Sequence, residues 1–196
     1  MRHHSAVKTA VLLILLLAAF VLPACASTVD KSEVEQKANP VKDLHQEAVN
    51  ETEAEKNKVQ WSSYDDALVK ARKENKFVMV DFFAQWCKWC KELDKTTYSD
   101  PKVAQALNAD FVPVKVDSES KDKVTYEMRQ ITMSELADKY KVASYPTVYF
   151  LDKDGNKAAV LNGYLAPDEF LKYLQYIKTG KYKEMTWDDY VSKGAK

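Results

Sequence analysis

Two cysteines separated by two residues, in Trp86-Cys87-Lys88-Trp89-Cys90, are the side chains best placed to do chemistry in this sequence. They follow a nearly continuous apolar run, Phe77-Val78-Met79-Val80-Asp81-Phe82-Phe83. Such a run suits a central strand covered on both faces, and the pair then opens a helix. Two intervening residues on a first helical turn bring the sulfurs within disulfide distance. At a helix N-terminus the unpaired N–H groups and the macrodipole favour an anion. Thiolate is the attacking species in disulfide exchange, so this position raises the reactive fraction near neutrality. Lys88 and Lys91 add positive charge nearby. Cys87, at the exposed edge, is expected to attack; Cys90, one turn inward, is expected to resolve the mixed disulfide.

Ligand counting sets aside most other uses of the pair. The chain has three cysteines, with Cys25 far upstream, and three histidines, His3, His4 and His45, all before the region that reads as folded. A structural zinc site and an iron–sulfur cluster each need about four ligands, and haem attachment needs His where residue 91 is Lys. No metal and no cofactor are therefore expected. Ser-His and Cys-His hydrolase mechanisms lack their base. Two-coordinate copper(I) on the thiolates remains an alternative. A purely structural disulfide would stabilise little, because its loop is so short. Charge excludes another class: the 196-residue chain is formally neutral, and without the leader cations Arg2 and Lys8 it is slightly acidic. Nucleic acid is not the expected partner, since phosphate binding needs a clustered basic surface.

Residues 1–24 read as a signal peptide, with a positive start and an apolar run over 11–22 that is shorter than the ~20 residues of a membrane span. Leu22-Pro23-Ala24-Cys25 is similar to a bacterial lipobox, in which Cys25 would be lipidated; plain cleavage at Ala24-x-Ala26 is the other reading. Residues 25–58 form a polar, charged tether. The ordered domain is placed at 59–180, with a short helical extension over 181–196 whose helix opens at Thr186-Trp187-Asp188-Asp189. Within it the pattern predicts an edge strand at 59–61, a helix capped by Ser62 or Ser63 and ending near Glu74, and strand 77–83. A helix then runs from the cysteines to about residue 96, and another starts at Asp100-Pro101. Strand 111–116, a polar insertion at 118–131, a helix from Thr132 or Ser134 to Tyr140, a hairpin at 147–161 around Asp152-Lys153-Asp154-Gly155, and a long helix from Pro167 complete it. This alternation means α/β architecture: parallel βαβ units followed by an antiparallel hairpin.

Residues 80–91 resemble the active-site segment of thioredoxins, and Tyr145-Pro146-Thr147 resembles their cis-proline strand; Gly163 and the closing helix fit the usual ending. The insertion and tail resemble SoxW-type periplasmic thioredoxin-related proteins, and Tyr98-Ser99-Asp100-Pro101-Lys102-Val103 resembles the C-terminal domain of DsbD. The resemblance implies a thioredoxin fold, a central mixed sheet flanked by helices. It implies that Cys87 and Cys90 form the redox disulfide, that Asp81 is a buried acid of raised pKa serving Cys90, and that Pro146 is cis beside the sulfurs. Trp86, Lys88, Trp89, Tyr145 and Pro146 become the candidate substrate-binding residues, with Tyr145 offering backbone hydrogen bonds and narrowing the groove. The Lys-Trp dipeptide between the cysteines departs from the thioredoxin pattern, so the redox poise does not carry over.

The expectation is an exported, lipid-anchored monomer of the bacterial periplasm or cell envelope, a thiol–disulfide oxidoreductase acting mainly as a reductase of protein disulfides. Its substrates would be disulfide-containing envelope proteins, and a membrane thiol carrier of the DsbD or CcdA type would return electrons to it. An envelope oxidase or isomerase is the first alternative, and a copper(I)-handling module the second.

Overall fold

The computed structural model describes residues 55–194. The signal segment, Cys25 and nearly all of the tether lie outside the described residues. The described chain runs α1 (Tyr64–Glu74), β1 (Phe77–Phe83), α2 (Lys88–Glu92) passing into a π-helical turn (Leu93–Thr97), α3 (Pro101–Asp110) and β2 (Phe111–Asp117). It continues with β3 (Lys123–Tyr126), β4 (Arg129–Thr132), α4 (Met133–Tyr140), β5 (Thr147–Leu151), β6 (Lys157–Asn162), α5 (Pro167–Lys178), a 3-10 turn (Lys181–Lys183) and α6 (Trp187–Ser192).

Four strands form one mixed sheet in the order β2-β1-β5-β6. β1 runs parallel to β2 and antiparallel to β5, and β5 is antiparallel to β6. Side chains alternate across a strand, and both faces of β1 are covered. Val78, Val80 and Phe82 pack with Tyr64, Ala67, Leu136 and Tyr140 of α1 and α4. Met79 packs on the other face with Leu93, Tyr98, Leu107, Phe170 and Ile177. By the same alternation Asp81 shares that second face, under α2 and its π-turn.

Local signals explain most of the boundaries. Ser63 caps α1 by accepting the Asp66 N–H, and Asn75 ends it at φ 53°. Asp100 caps α3 ahead of Pro101. Thr132 and Glu135 form a reciprocal capping box on α4.

Four readings change. Residues 59–61 do not form an edge strand; the segment makes one bridge, Ser62 to Val114. The reason is Pro113. Its carbonyl accepts from Ser62 N–H at 2.8 Å, so its own missing N–H faces the same outer side and pairing cannot continue. The polar insertion holds a hairpin, β3 with β4, in which Val124 and Ile131 pair and rest on the α1/α4 face of the core. The helix that opens at the cysteines does not stay α-helical to residue 96, because it widens into the π-turn after Glu92. The tail is part of the core: Trp187 and Tyr190 pack on Tyr173 and Tyr176 of α5, and Tyr176 donates to the Met185 carbonyl.

Candidate active site

Cys87 is the N-cap of α2, and its Sγ accepts the Cys90 N–H at 3.0 Å. The two cysteines are joined as a disulfide with their Cα atoms 5.3 Å apart. A sulfur in the capping position takes one of the helix's unpaired donors, the arrangement that stabilises a thiolate once the pair is reduced. The expectation that Cys87 lies at an exposed edge needs correction. It is 4% exposed and Cys90 3%, because Ala84, Phe83 and Tyr145 close around the bridge. Attack on Cys87 therefore requires a substrate that fits closely over it.

What is exposed is the rim. Trp86 and Trp89 are 67% and 56% exposed. Trp86 meets Tyr145 edge-on, with centroids 5.7 Å apart, and donates its indole N–H to Glu119 at 3.1 Å. Gln85 donates to Asp117 at 2.9 Å, so the end of β2 and the segment after it hold the active-site turn from one side. Trp89 lies 5.6 Å from Tyr164. The Tyr145-Pro146 peptide is cis, and Pro146 is buried beside these rings. Lys88 is exposed at the start of α2.

Beneath the helix the chemistry is ionic. Asp81 is 1% exposed and sits mid-strand, in register with Lys115 of β2 and Val148 of β5. Burial pushes its carboxyl up to about 7, against the opposing pull of Lys115. The buried Tyr98 hydroxyl beside it is close enough to lower the carboxyl slightly, but among the described residues neither Asp81 Oδ1 nor that hydroxyl has a partner in good hydrogen-bond geometry. Burial and then Asp81 hold the Tyr98 phenol well above its ordinary value, so it stays neutral. Lys115 forms an ion pair with Asp94 of the π-turn and lies over the rings of Trp61, Phe83 and Tyr98 at 5.2, 5.0 and 5.7 Å. This ion pair borders a groove of about 630 Å³ along residues 57–59 and Trp61.

The structure thus brings together Trp86, Cys87, Lys88, Trp89, Cys90, Tyr145 and Pro146 on one surface, with Asp81 on the sheet face below. Lys115, Asp94, Tyr98, Glu119 and Tyr164 escaped the sequence reading. Only Lys115 carried a visible signal, a cation inside the otherwise apolar strand Phe111-Val112-Pro113-Val114-Lys115-Val116. Among the described residues no group of three or more His, Cys, Asp or Glu is placed to hold a metal ion.

A sequence family described as a thioredoxin-like domain matches residues 64–178. The chain belongs to the thioredoxin-like family. Its disulfide at a strand-to-helix junction, opposite a cis-proline, makes it a thioredoxin-like thiol–disulfide oxidoreductase. The chain is similar to the thiol:disulfide interchange protein DsbD of Yersinia pestis, 34% identical over 110 residues, and to that of Vibrio vulnificus, 38% over 112 residues. These matches take in 55% and 56% of this chain but 17% of each relative. Among solved structures, a thioredoxin from Thermus thermophilus is 31% identical at TM-score 0.50, covering 61% of this chain and 86% of its own. A thioredoxin-fold protein from Helicobacter pylori is 25% identical at TM-score 0.54, covering 71% and 87%.

Proposed function

We propose that this thioredoxin-like protein works outside the cytoplasm as a reductase of disulfides in envelope proteins. The single observation that supports the direction is Asp81, a carboxyl buried under the cysteine helix and pushed by that burial up to about 7. A group of that pKa takes up and returns protons near neutrality. Reduced Cys87, as thiolate, attacks one sulfur of a substrate disulfide, and the other substrate sulfur leaves as a thiolate. Cys90 passes its proton to Asp81 and attacks Cys87, releasing the second substrate sulfur. Two electrons have then moved from the dithiol to the substrate, and the chain is left with the Cys87–Cys90 disulfide seen here. A donor dithiol has to return those two electrons, and similarity to DsbD supports a membrane thiol carrier of the DsbD or CcdA type in that role. The rim residues Trp86, Trp89, Tyr145 and Pro146 receive the substrate chain, with Tyr145 pairing through its backbone and Lys88 adding charge at the edge. The leader and Cys25 support export with lipid anchoring; no helix among the described residues is long and apolar enough to cross a membrane.

The test is the reduction potential of the Cys87–Cys90 couple, measured beside insulin reduction. Insulin turnover is expected, with a potential far more reducing than that of strong disulfide oxidants. A potential near that of strong oxidants, about −120 mV, contradicts the reductive direction.

A further inference from the structure

Three buried side-chain oxygens among the described residues have no partner in good hydrogen-bond geometry: Asp81 Oδ1, the Tyr98 hydroxyl and the Ser118 hydroxyl. Buried polar atoms are nearly always paired, so each such orphan calls for an explanation. Two of the three are neighbours, since the Tyr98 hydroxyl stands close enough to the Asp81 carboxyl for each to shift the other.

The placement of both groups is rigid. Tyr98 closes the π-turn after α2, and its own N–H donates to the Leu93 carbonyl at 2.9 Å. Its ring meets Trp61 edge-on at 5.2 Å and Phe170 edge-on at 5.7 Å. Held between those rings, the hydroxyl keeps one freedom, rotation about its C–O bond. Asp81 is fixed in the middle of β1, with β2 on one side and β5 on the other. Tyr98 lines the groove at Trp61 while its hydroxyl is buried, so the ring reaches inward from that groove to the carboxyl.

The surroundings leave the phenol as the donor for this carboxyl. Lys115 on β2 is the cation that faces it, but that ammonium is paired with Asp94 and lies over the rings of Trp61, Phe83 and Tyr98. Asp94, on the π-turn, faces it with a like charge. β5 presents Val148 and α5 presents Phe170, both neutral. The cysteines of α2 carry no charge while joined as a disulfide. A phenol can donate to a carboxylate or accept from a carboxylic acid, and the bond to the ion is the stronger. The pairing therefore favours the charged acid and works against burial, which favours the neutral one.

We propose that Tyr98 is a positioning residue for the exchange reaction: its hydroxyl turns to donate to Asp81 and keeps that carboxyl able to accept the Cys90 proton near neutrality. The proposal rests on the proton step of the reading above. As Cys90 attacks, its proton moves to an Asp81 oxygen, while the phenol keeps its own proton and its bond to the carboxyl weakens. Asp81 later gives the proton to water, and the stronger bond returns.

Two measurements on Tyr98→Phe, which keeps the ring, separate the pairing from the exchange. The first follows the Asp81 carboxyl carbon by NMR against pH in the oxidised protein, where the cysteines do not titrate. Its midpoint is expected about one pH unit higher in Tyr98→Phe than in the parent. The second follows insulin reduction against pH. A midpoint moved from about 7 to about 8 leaves about a tenth rather than about half of Asp81 charged at pH 7, so turnover there should fall about fivefold. The loss should vanish above about pH 9. An unmoved or lowered Asp81 midpoint overturns the pairing. A raised midpoint with turnover lowered equally at every pH, or not at all, overturns its part in the reaction. Should Tyr98→Phe fail to fold, the Tyr98 ζ-carbon of the parent decides: a signal that tracks the Asp81 midpoint supports the pair, and a flat one overturns it. A parent that reduces no insulin overturns the reductase reading and the part of Tyr98 in it, while the oxidised-protein titration still decides the pairing.

Discussion

The two sides of the cysteine helix reverse the usual placement of residue types. Above it, large aromatic rings stand in solvent: Trp86 and Trp89 are more than half exposed. Below it, a carboxyl is sealed in the sheet, with a lysine and a second carboxyl next to it. Apolar groups are usually the ones inside, and the informative observation is the exception. Here the two exceptions divide the work. In the proposed exchange the rim receives the substrate chain and contributes little to folding, whereas the buried acid handles protons and costs stability at the pH where it is charged.

Four variants would break or sharpen that division. The largest concerns the bridge between the two sides: Cys87→Ser should abolish disulfide exchange altogether, read by insulin turnover. Next, Asp81→Leu should slow turnover at pH 7 by roughly a hundredfold, within the usual worth of a general acid–base group. The same substitution should stabilise the fold in alkaline solution. The Asp81 carboxyl is raised from 3.8 to about 7 in the folded state. Its contribution to stability is therefore fully present below about pH 3.8 and lost as pH rises through 7. The total loss is about 4 kcal/mol as an upper bound. Urea midpoints should rise in Asp81→Leu at pH 8 and converge with the parent at pH 4; a midpoint that falls at pH 8 would mean the acid is not buried in its charged form. On the rim, Glu119→Ala releases the Trp86 indole, and loss of one such hydrogen bond, ~1 kcal/mol, should lower kcat/KM for peptide disulfides about fivefold through KM, with stability unchanged. The smallest effect lies away from both sides. Glu127 and Met128 turn the β3–β4 hairpin at φ 47° and 61°, where Asn-Gly is favoured. Replacing them with Asn-Gly should add about 1 kcal/mol of stability without altering turnover.

That hairpin also shows where reading the sequence ran out. β1 and the cysteine helix were legible because each is announced locally, by an unbroken apolar run and by a fixed spacing. The hairpin turns on residues that carry no turn signal, so it read as a polar insertion. The ion pair of Lys115 with Asp94 joins an edge strand to a π-turn, and nothing in the sequence near either residue names the other. The π-turn itself has no pattern distinct from the helix it interrupts. Tyr164 followed a recognisable glycine, but its placement depends on a hydroxyl contact across 68 residues. The cysteine motif announced the reactive sulfurs but not their burial, which is set by Phe83 and by Tyr145 from a distant strand.

Pro113 has an effect beyond ending a strand early. β2 is an outer strand of the sheet, and outer strands with free donors and acceptors are templates on which a second chain can add and aggregation can begin. With its one outward carbonyl engaged by Ser62 and its N–H replaced by a ring, the middle of this border presents no donor to a stranger. That keeps β2, on the Lys115 side of the sheet, from taking on a strand of a second chain, while on β6, at the other border, the Val160 carbonyl is already held by the Tyr173 hydroxyl.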